Sequence, residues 1–192
     1  MRLRKRLIKS WIHHFGSMPN SKQFRGNQFE RLEGFDYILN RCKGMSVLDI
    51  GSNNGLILYE FAKRGAKEIT GVEIDKRLVN FSNTLFQYTE IPYKFINWDL
   101  LNHPPPIKKT DIVLFIAVFH HLSRQTAYLN GYVNENLILS YVKFYLEKTR
   151  KYFVLCPTTS PKLNQLILDT GFKQVHSINR KPGGTVIVYK RI

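Results

Sequence analysis

Val47-Leu48-Asp49-Ile50-Gly51-Ser52-Asn53-Asn54-Gly55 decides the fold. Residues 45–50 form a short apolar run bounded by Gly44 and Gly51. Such a run reads as a strand covered on both faces. Gly51 then allows a turn too sharp for a side chain. Residues 55–64 carry a helical pattern, and Gly55 at its start is expected to let the first turn approach a ligand closely. That helix start also offers unpaired N–H groups and the positive end of the helix dipole.

Working outward, the same alternation repeats. Strands are predicted over 68–74, 93–97, 111–119 and 152–156, and helices over 76–89, 132–149 and 161–170. Residues 172–179 and 185–191 read as two strands joined through Pro182-Gly183-Gly184, a joint short enough to predict an antiparallel hairpin. Strands separated by helices require right-handed crossovers. The fold expected is α/β and Rossmann-like: a mainly parallel, seven-stranded sheet with helices on both faces and a C-terminal antiparallel hairpin. Upstream, 1–15 reads as an amphipathic helix with Leu3, Leu7, Ile8, Trp11, Ile12 and Phe15 at helical spacing, ended by Gly16 and Pro19. Residues 16–28 read as a loop and 28–42 as a further helix.

The chain has 192 residues, enough for one sizeable core. Apolar residues make up 43%, which excludes a disordered chain. No run of about 18 uncharged apolar residues predicts a membrane-spanning helix. The basic N-terminus is interrupted by Arg, Lys, Ser and His and does not read as a signal peptide. Two cysteines, Cys42 and Cys156, exclude a disulfide framework and a Cys-rich zinc module, so reduced thiols in a cytoplasmic setting are expected. The net charge is +15, and its distribution is uneven. Residues 1–32 carry +7, residues 33–142 carry none and residues 143–192 carry +8. A neutral middle with cationic ends points to an anionic partner; a highly soluble surface or a biased composition gives the same numbers.

Two acids complete the motif. Glu73 lies 22 residues after Gly51, at the end of the second strand, where a carboxylate can accept both hydroxyls of a ribose. Asp99 follows the third strand and can reach an adenine edge. The ends of three parallel strands meet where open α/β folds bind ligands. A nicotinamide-binding reading fails on Gly51-Ser52-Asn53-Asn54-Gly55, which lacks the second glycine and has the third at the wrong offset.

Residues 47–55, Gly71-Val72-Glu73-Ile74-Asp75, Asn97-Trp98-Asp99-Leu100 and residues 111–122 together resemble the successive motifs of class I S-adenosylmethionine-dependent methyltransferases. The resemblance covers about 35–192. It implies that Asp49 with Gly51, Ser52, Asn53 and Gly55 holds the methionine end of S-adenosylmethionine. It also implies that Glu73 binds the ribose and Asp99 the adenine amine, with Ile74 and Leu100 beside them among the cofactor-binding residues, and that Phe115, Ile116 and Ala117 lie near the sulfonium. The family's usual middle glycine is Asn53 here; Asn tolerates left-handed backbone better than most residues. Residues 1–34 then become a basic helix and lid segment ahead of a methyltransferase domain over 35–192.

Val118-Phe119-His120-His121-Leu122 follows the fourth strand, where an acceptor would meet the methyl group. His121, and after it His120, is either a general base or a cap on the joint through backbone hydrogen bonds. No metal site is expected, because adjacent side chains diverge and no third ligand is evident. The Asn/Asp-Pro-Pro-Tyr/Phe sequence of base-amino methyltransferases is missing. Cys156 sits on the fifth strand rather than the fourth, against a cytosine-C5 nucleophile. Arg25, within Gln23-Phe24-Arg25-Gly26-Asn27, is a candidate to bind a carboxylate or phosphate of the substrate. With 113–121 this segment is similar to the tRNA wobble-uridine carboxymethyl-transferring branch. The basic helix 1–15 suits RNA phosphates, peripheral contact with an anionic membrane, or a structural lid. The acceptor expected on charge is RNA, with a small metabolite or sugar as the alternative. A non-catalytic binding subunit on the same fold is the reading of a different class.

Overall fold

Alternating burial along short strands, punctuated by glycines, organises this chain. A computed structural model describes residues 32–101, 103–156, 160–180 and 184–192. The expected helix over 1–15, the loop carrying Arg25 and the turn residues Pro182 and Gly183 lie outside the described residues. Seven strands are described: β1 Ser46–Ile50, β2 Glu68–Glu73, β3 Tyr93–Asn97, β4 Thr110–Ile116, β5 Thr149–Cys156, β6 Phe172–Arg180 and β7 Gly184–Arg191. Between them lie α1 Asp36–Leu39, α2 Leu56–Lys63, α3 Lys76–Phe86, α4 Val118–Asn130, α5 Glu135–Lys148 and α6 Pro161–Asp169.

The strands form one sheet in the order β3-β2-β1-β4-β5-β7-β6. All pairings are parallel except those of β7, which runs against both β5 and β6. The Rossmann-like α/β fold expected from the alternation is therefore the one observed. Every residue of β1 is buried, because helices cover the sheet on both sides. Val47, Ile69, Ile112, Leu114, Val154 and Val188 line one core with Phe61, Phe81 and Phe86. Leu48, Ile50, Val113, Phe115, Phe153 and Leu155 line the other, against Tyr145 and Ile138.

Two stretches differ most from expectation, while α3, α5 and β5 shift by three residues at one end. The helix over 28–42 is described only as the single turn α1, since Gly34 at φ +83° breaks the helical path just ahead of it. Gly34 lies against Ile178 of β6, so the chain enters the fold beside the hairpin. β4 ends at Ile116 rather than at 119, and Val118-Phe119-His120-His121 opens a helix, α4, that the strand reading over 111–119 hid. The apolar run continues unbroken from strand into helix, and Ala117 makes the joint in left-handed backbone at φ +60° without a glycine to mark it.

At the N-terminal end of the sheet, Asp111 ties β1 to β4. Its carboxylate accepts the Ser46 N–H at 3.0 Å and the Ser46 hydroxyl at 3.1 Å, and Lys67 and Lys151 bring their ammonium groups to 3.6 Å. Burial pushes its pKa up, but the Ser46 hydrogen bonds and the two lysines outweigh burial and hold it below the ordinary value. A depressed folded-state pKa gives stability that is complete above the unfolded pKa, about 3.9, and is lost as pH falls through the folded value. Asp111→Ala should therefore cost about 1–3 kcal/mol at neutral pH by stranding the Ser46 donors. In urea unfolding, that cost should shrink as the pH drops below about 4.

Candidate active site

The C-terminal ends of β1, β2, β3 and β4 lie side by side at one edge of the sheet, where open α/β folds have their ligand crevice. The turn after β1 is fixed by backbone: the N–H groups of Gly51 and Ser52 both donate to the Val72 carbonyl at 2.9 Å. Gly51, Asn53 and Gly55 all take left-handed backbone, at φ +73°, +51° and +71°. Asn53 adopts it with its own side-chain oxygen accepting the Asn54 N–H at 2.8 Å, a local bond that suits Asn to this region.

Glu73 is the centre of the arrangement. Its carboxylate, 9% exposed, accepts the Asn53 N–H at 2.8 Å on one oxygen and the Asp75 N–H at 3.0 Å on the other. It thus joins the turn after β1 to the start of α3, which Asp75 caps by accepting the Arg77 N–H at 2.8 Å. The Arg77 guanidinium holds the Asp75 carboxyl below its usual range. A carboxylate has about four acceptor sites, so two hydrogen bonds leave one free direction on each Glu73 oxygen. Ile74, beside it, is 52% exposed.

Asp49 is buried in β1, in register between Gly71 and Leu114. One Asp99 oxygen accepts the Leu101 N–H at 2.9 Å. Asp99 also lines a cavity of about 450 Å³ with Leu101, Arg124, Gln125, Tyr128 and Leu129. The residues from α4 in that lining escaped the sequence reading, because α4 itself did. The signal was present: Val118, Leu122 and Thr126 are buried at four-residue spacing.

The other expected site residues take the following places. Gly55 has no room for a side chain: a Cβ there would lie 2.9 Å from the Ser82 hydroxyl and 3.3 Å from the Phe95 ring, so its bare backbone serves packing against α3 and β3. The Ser52 hydroxyl is buried toward β2, with no hydrogen-bond partner among the described residues. Phe115 places its ring in the core between Phe153 and Tyr145, and Leu100 packs against that core as well. Ala117 stands at the end of β4, its N–H donating to the Cys156 carbonyl. His120 and His121 belong to the first turn of α4, and His121 is exposed. Cys42 and Cys156 are both buried free thiols; burial raises each thiol's pKa, against Arg180 in the case of Cys156.

Gly71 is a further requirement of the site that the motif alone did not explain. A Cβ on it would lie 2.5 Å from two atoms of the Phe95 ring and 2.7 Å from the Ser52 hydroxyl. Gly71→Ala should destabilise the fold by about 1–3 kcal/mol by overpacking, as read from the midpoint of urea unfolding.

Comparison with known proteins agrees with this architecture. Residues 47–132 match the family described as a methyltransferase domain. No curated protein matches the sequence. Magnesium protoporphyrin IX methyltransferase (ChlM) from Synechocystis PCC 6803, crystallised with bound SAM, superposes with a TM-score of 0.68 at 16% identity, covering 96% of this chain and 90% of its own. The N-methyltransferase NodS from Bradyrhizobium japonicum WM9 gives 0.65 at 11% identity, over 86% and 97% of the two chains. The ribosomal protein L11 methylase from Lactobacillus delbrueckii subsp. bulgaricus gives 0.60 at 14% identity, over 88% and 80%. Residues 47–132 thus match a methyltransferase domain, and the chain around them has the fold of the S-adenosylmethionine-dependent methyltransferases.

Proposed function

We propose that this chain is an S-adenosylmethionine-dependent methyltransferase, and that its acceptor is an anionic molecule, RNA first. The observation that carries the cofactor reading is the Glu73 carboxylate. It is buried at the crevice and held by two backbone N–H groups, and its two remaining acceptor directions match the paired hydroxyls of a ribose. The surrounding side chains fit the rest of that molecule. Ile74 offers an exposed apolar surface to a purine face. Asp99 keeps acceptor capacity for an exocyclic amine beside the 450 Å³ cavity. Asp49 and the turn from Gly51 to Gly55 are assigned to the amino-acid end.

S-adenosylmethionine, when bound, supplies an electrophilic methyl group on a sulfonium. The protein's part is then mainly to position the acceptor in line and exclude water. Ala117 marks the floor of that position at the end of β4. His121 stands exposed one helical turn away and is assigned the role of accepting the acceptor's proton. The acceptor reading rests on the +15 net charge and its concentration in the two ends of the sequence. The comparison proteins named for an acceptor differ in it, a magnesium protoporphyrin in one and a ribosomal protein in another, so the fold leaves this choice to surface chemistry. The wobble-uridine branch gains no support from them, and its strand-end motif is in fact the first turn of α4.

Calorimetry with S-adenosylhomocysteine tests the shared premise. Wild type should bind, and Glu73→Gln should weaken the dissociation constant by about 10- to 100-fold through loss of charge-assisted hydrogen bonds. Unchanged binding in Glu73→Gln would reject the assignment. With total RNA as acceptor pool, His121→Gln should lower kcat by about 100-fold or more while leaving cofactor affinity intact. Binding without turnover on any pool would favour the non-catalytic subunit.

A further inference from the structure

We propose that the N-terminal edge of the sheet, at the end of the fold opposite the candidate active site, is a docking surface for a single-stranded RNA backbone. The inference extends the RNA reading of the acceptor but stands on the charge map, independently of methyl transfer. The edge is built by the starts of β4, β5 and β6 and the end of β7, four adjacent strands. It presents Lys109, Arg150, Lys151, Lys173 and Lys190, all exposed. Lys151 shares the buried Asp111 with Lys67. Lys109, Arg150, Lys173 and Lys190 have no carboxylate within ion-pair distance among the described residues.

Lys173 and Lys190 stand directly opposite each other in the β6–β7 ladder. Like charges facing across strands are destabilising, and no acid in the ladder relieves this pair. Strands lie about 4.8 Å apart, so the row extends for about 15 Å. One phosphate or carboxylate can meet only one or two of these cations. A nucleic-acid strand carries repeated phosphates and can meet them all, releasing counterions as it does so. A bilayer surface is the poorer fit. Peripheral membrane contact needs a cluster of apolar side chains among the cations; this edge exposes Leu168 and Ile192, which flank the start of β6 and the end of β7, whereas the larger exposed group Tyr128, Leu129, Tyr132 and Val133 lies at the other end of the fold, where α5 begins beside Ser160.

The test uses the full chain and a fluorescein-labelled 20-nucleotide polyuridine, with anisotropy read across a salt series. The triple variant Lys109→Gln/Lys173→Gln/Lys190→Gln should flatten the slope of log K against log salt by about 2, and weaken binding on the order of 100-fold near 0.1 M salt. Lys76→Gln/Lys162→Gln, at the opposite end, should bind as wild type. Lys190→Gln alone should raise the melting temperature by about 1–4 °C while weakening RNA binding, a combination that a merely structural lysine would not give. A triple variant with the wild-type slope would overturn the proposal. So would loss of binding to phosphatidylserine vesicles with RNA affinity unchanged. S-adenosylhomocysteine affinity, measured on the same samples, reports on the methyltransferase reading separately: its absence in wild type would reject that reading and leave the RNA slopes to judge the edge.

Discussion

The hydrogen bonds from Asn53 and Asp75 to the Glu73 carboxylate are the constraint on which the crevice depends. Three strand ends have to be held with irregular backbone between them, and a carboxylate that receives donors from two loops does this with one side chain. A comparison inside the same molecule shows what kind of acid Glu73 is. Asp111 is also a buried carboxylate joining neighbouring elements, but it takes two hydrogen bonds from Ser46 and stands between two lysines. Its capacity and its charge are met from within the protein. Glu73 has two backbone donors and, among the described residues, no cation within ion-pair distance. Buried charge is costly unless compensated, so a half-satisfied carboxylate at a crevice is suited to donors from a ligand, whereas Asp111 is suited to holding strands.

Backbone strain points to the same place. Asn53 and Ala117 are the non-glycine residues with positive φ among those described, and they follow β1 and β4, which are adjacent in the sheet. Sparsely populated backbone of this kind persists only where the surroundings impose it, and it gathers at binding sites. Here the surroundings are identifiable. The Ser82 hydroxyl on α3 bonds the Asn53 carbonyl at 3.4 Å, and the Cys156 carbonyl receives the Ala117 N–H. The two strained joints are therefore buttressed from α3 on one side and from β5 on the other.

What the sequence disclosed follows from the same physics. β1 and the terminal hairpin were legible because glycines mark their turns and their apolar residues are continuous or alternate. The placement of Asp49, Glu73 and Asp99 at the ends of β1, β2 and β3 was legible because each stands at the close of a short apolar run. α4 was not, since Ala117 does the work usually signalled by glycine and the apolar run crosses the joint unbroken. The packing roles of Gly55 and Gly71 were not legible because they depend on Ser82 and Phe95, neighbours that only the tertiary structure supplies. The sheet order carried a readable clue. β7 is apolar toward both faces through Val186, Ile187, Val188 and Tyr189, whereas most of β6 is exposed or half-buried. A strand of the first kind belongs inside a sheet and one of the second kind at its edge, which matches β7 lying between β5 and β6.

A parallel α/β sheet has two chemically different ends, and this bears on how its cations are interpreted. The crossover helices end at the N-terminal edge of the strands, where their free carbonyls favour positive charge. Some basic residues there need no further explanation. Arg191 donates to the carbonyls of Leu146 and Thr149 at the end of α5, and Lys63 and Lys148 occupy the last turns of α2 and α5. The dipole argument does not reach Lys109, in the approach to β4, or the Lys173–Lys190 pair, which sits within a strand ladder. Once the helix ends are satisfied, a surplus remains that costs stability where it stands. An anionic partner along that edge would turn the cost into binding energy, while the acids at the opposite end keep their own chemistry apart from it.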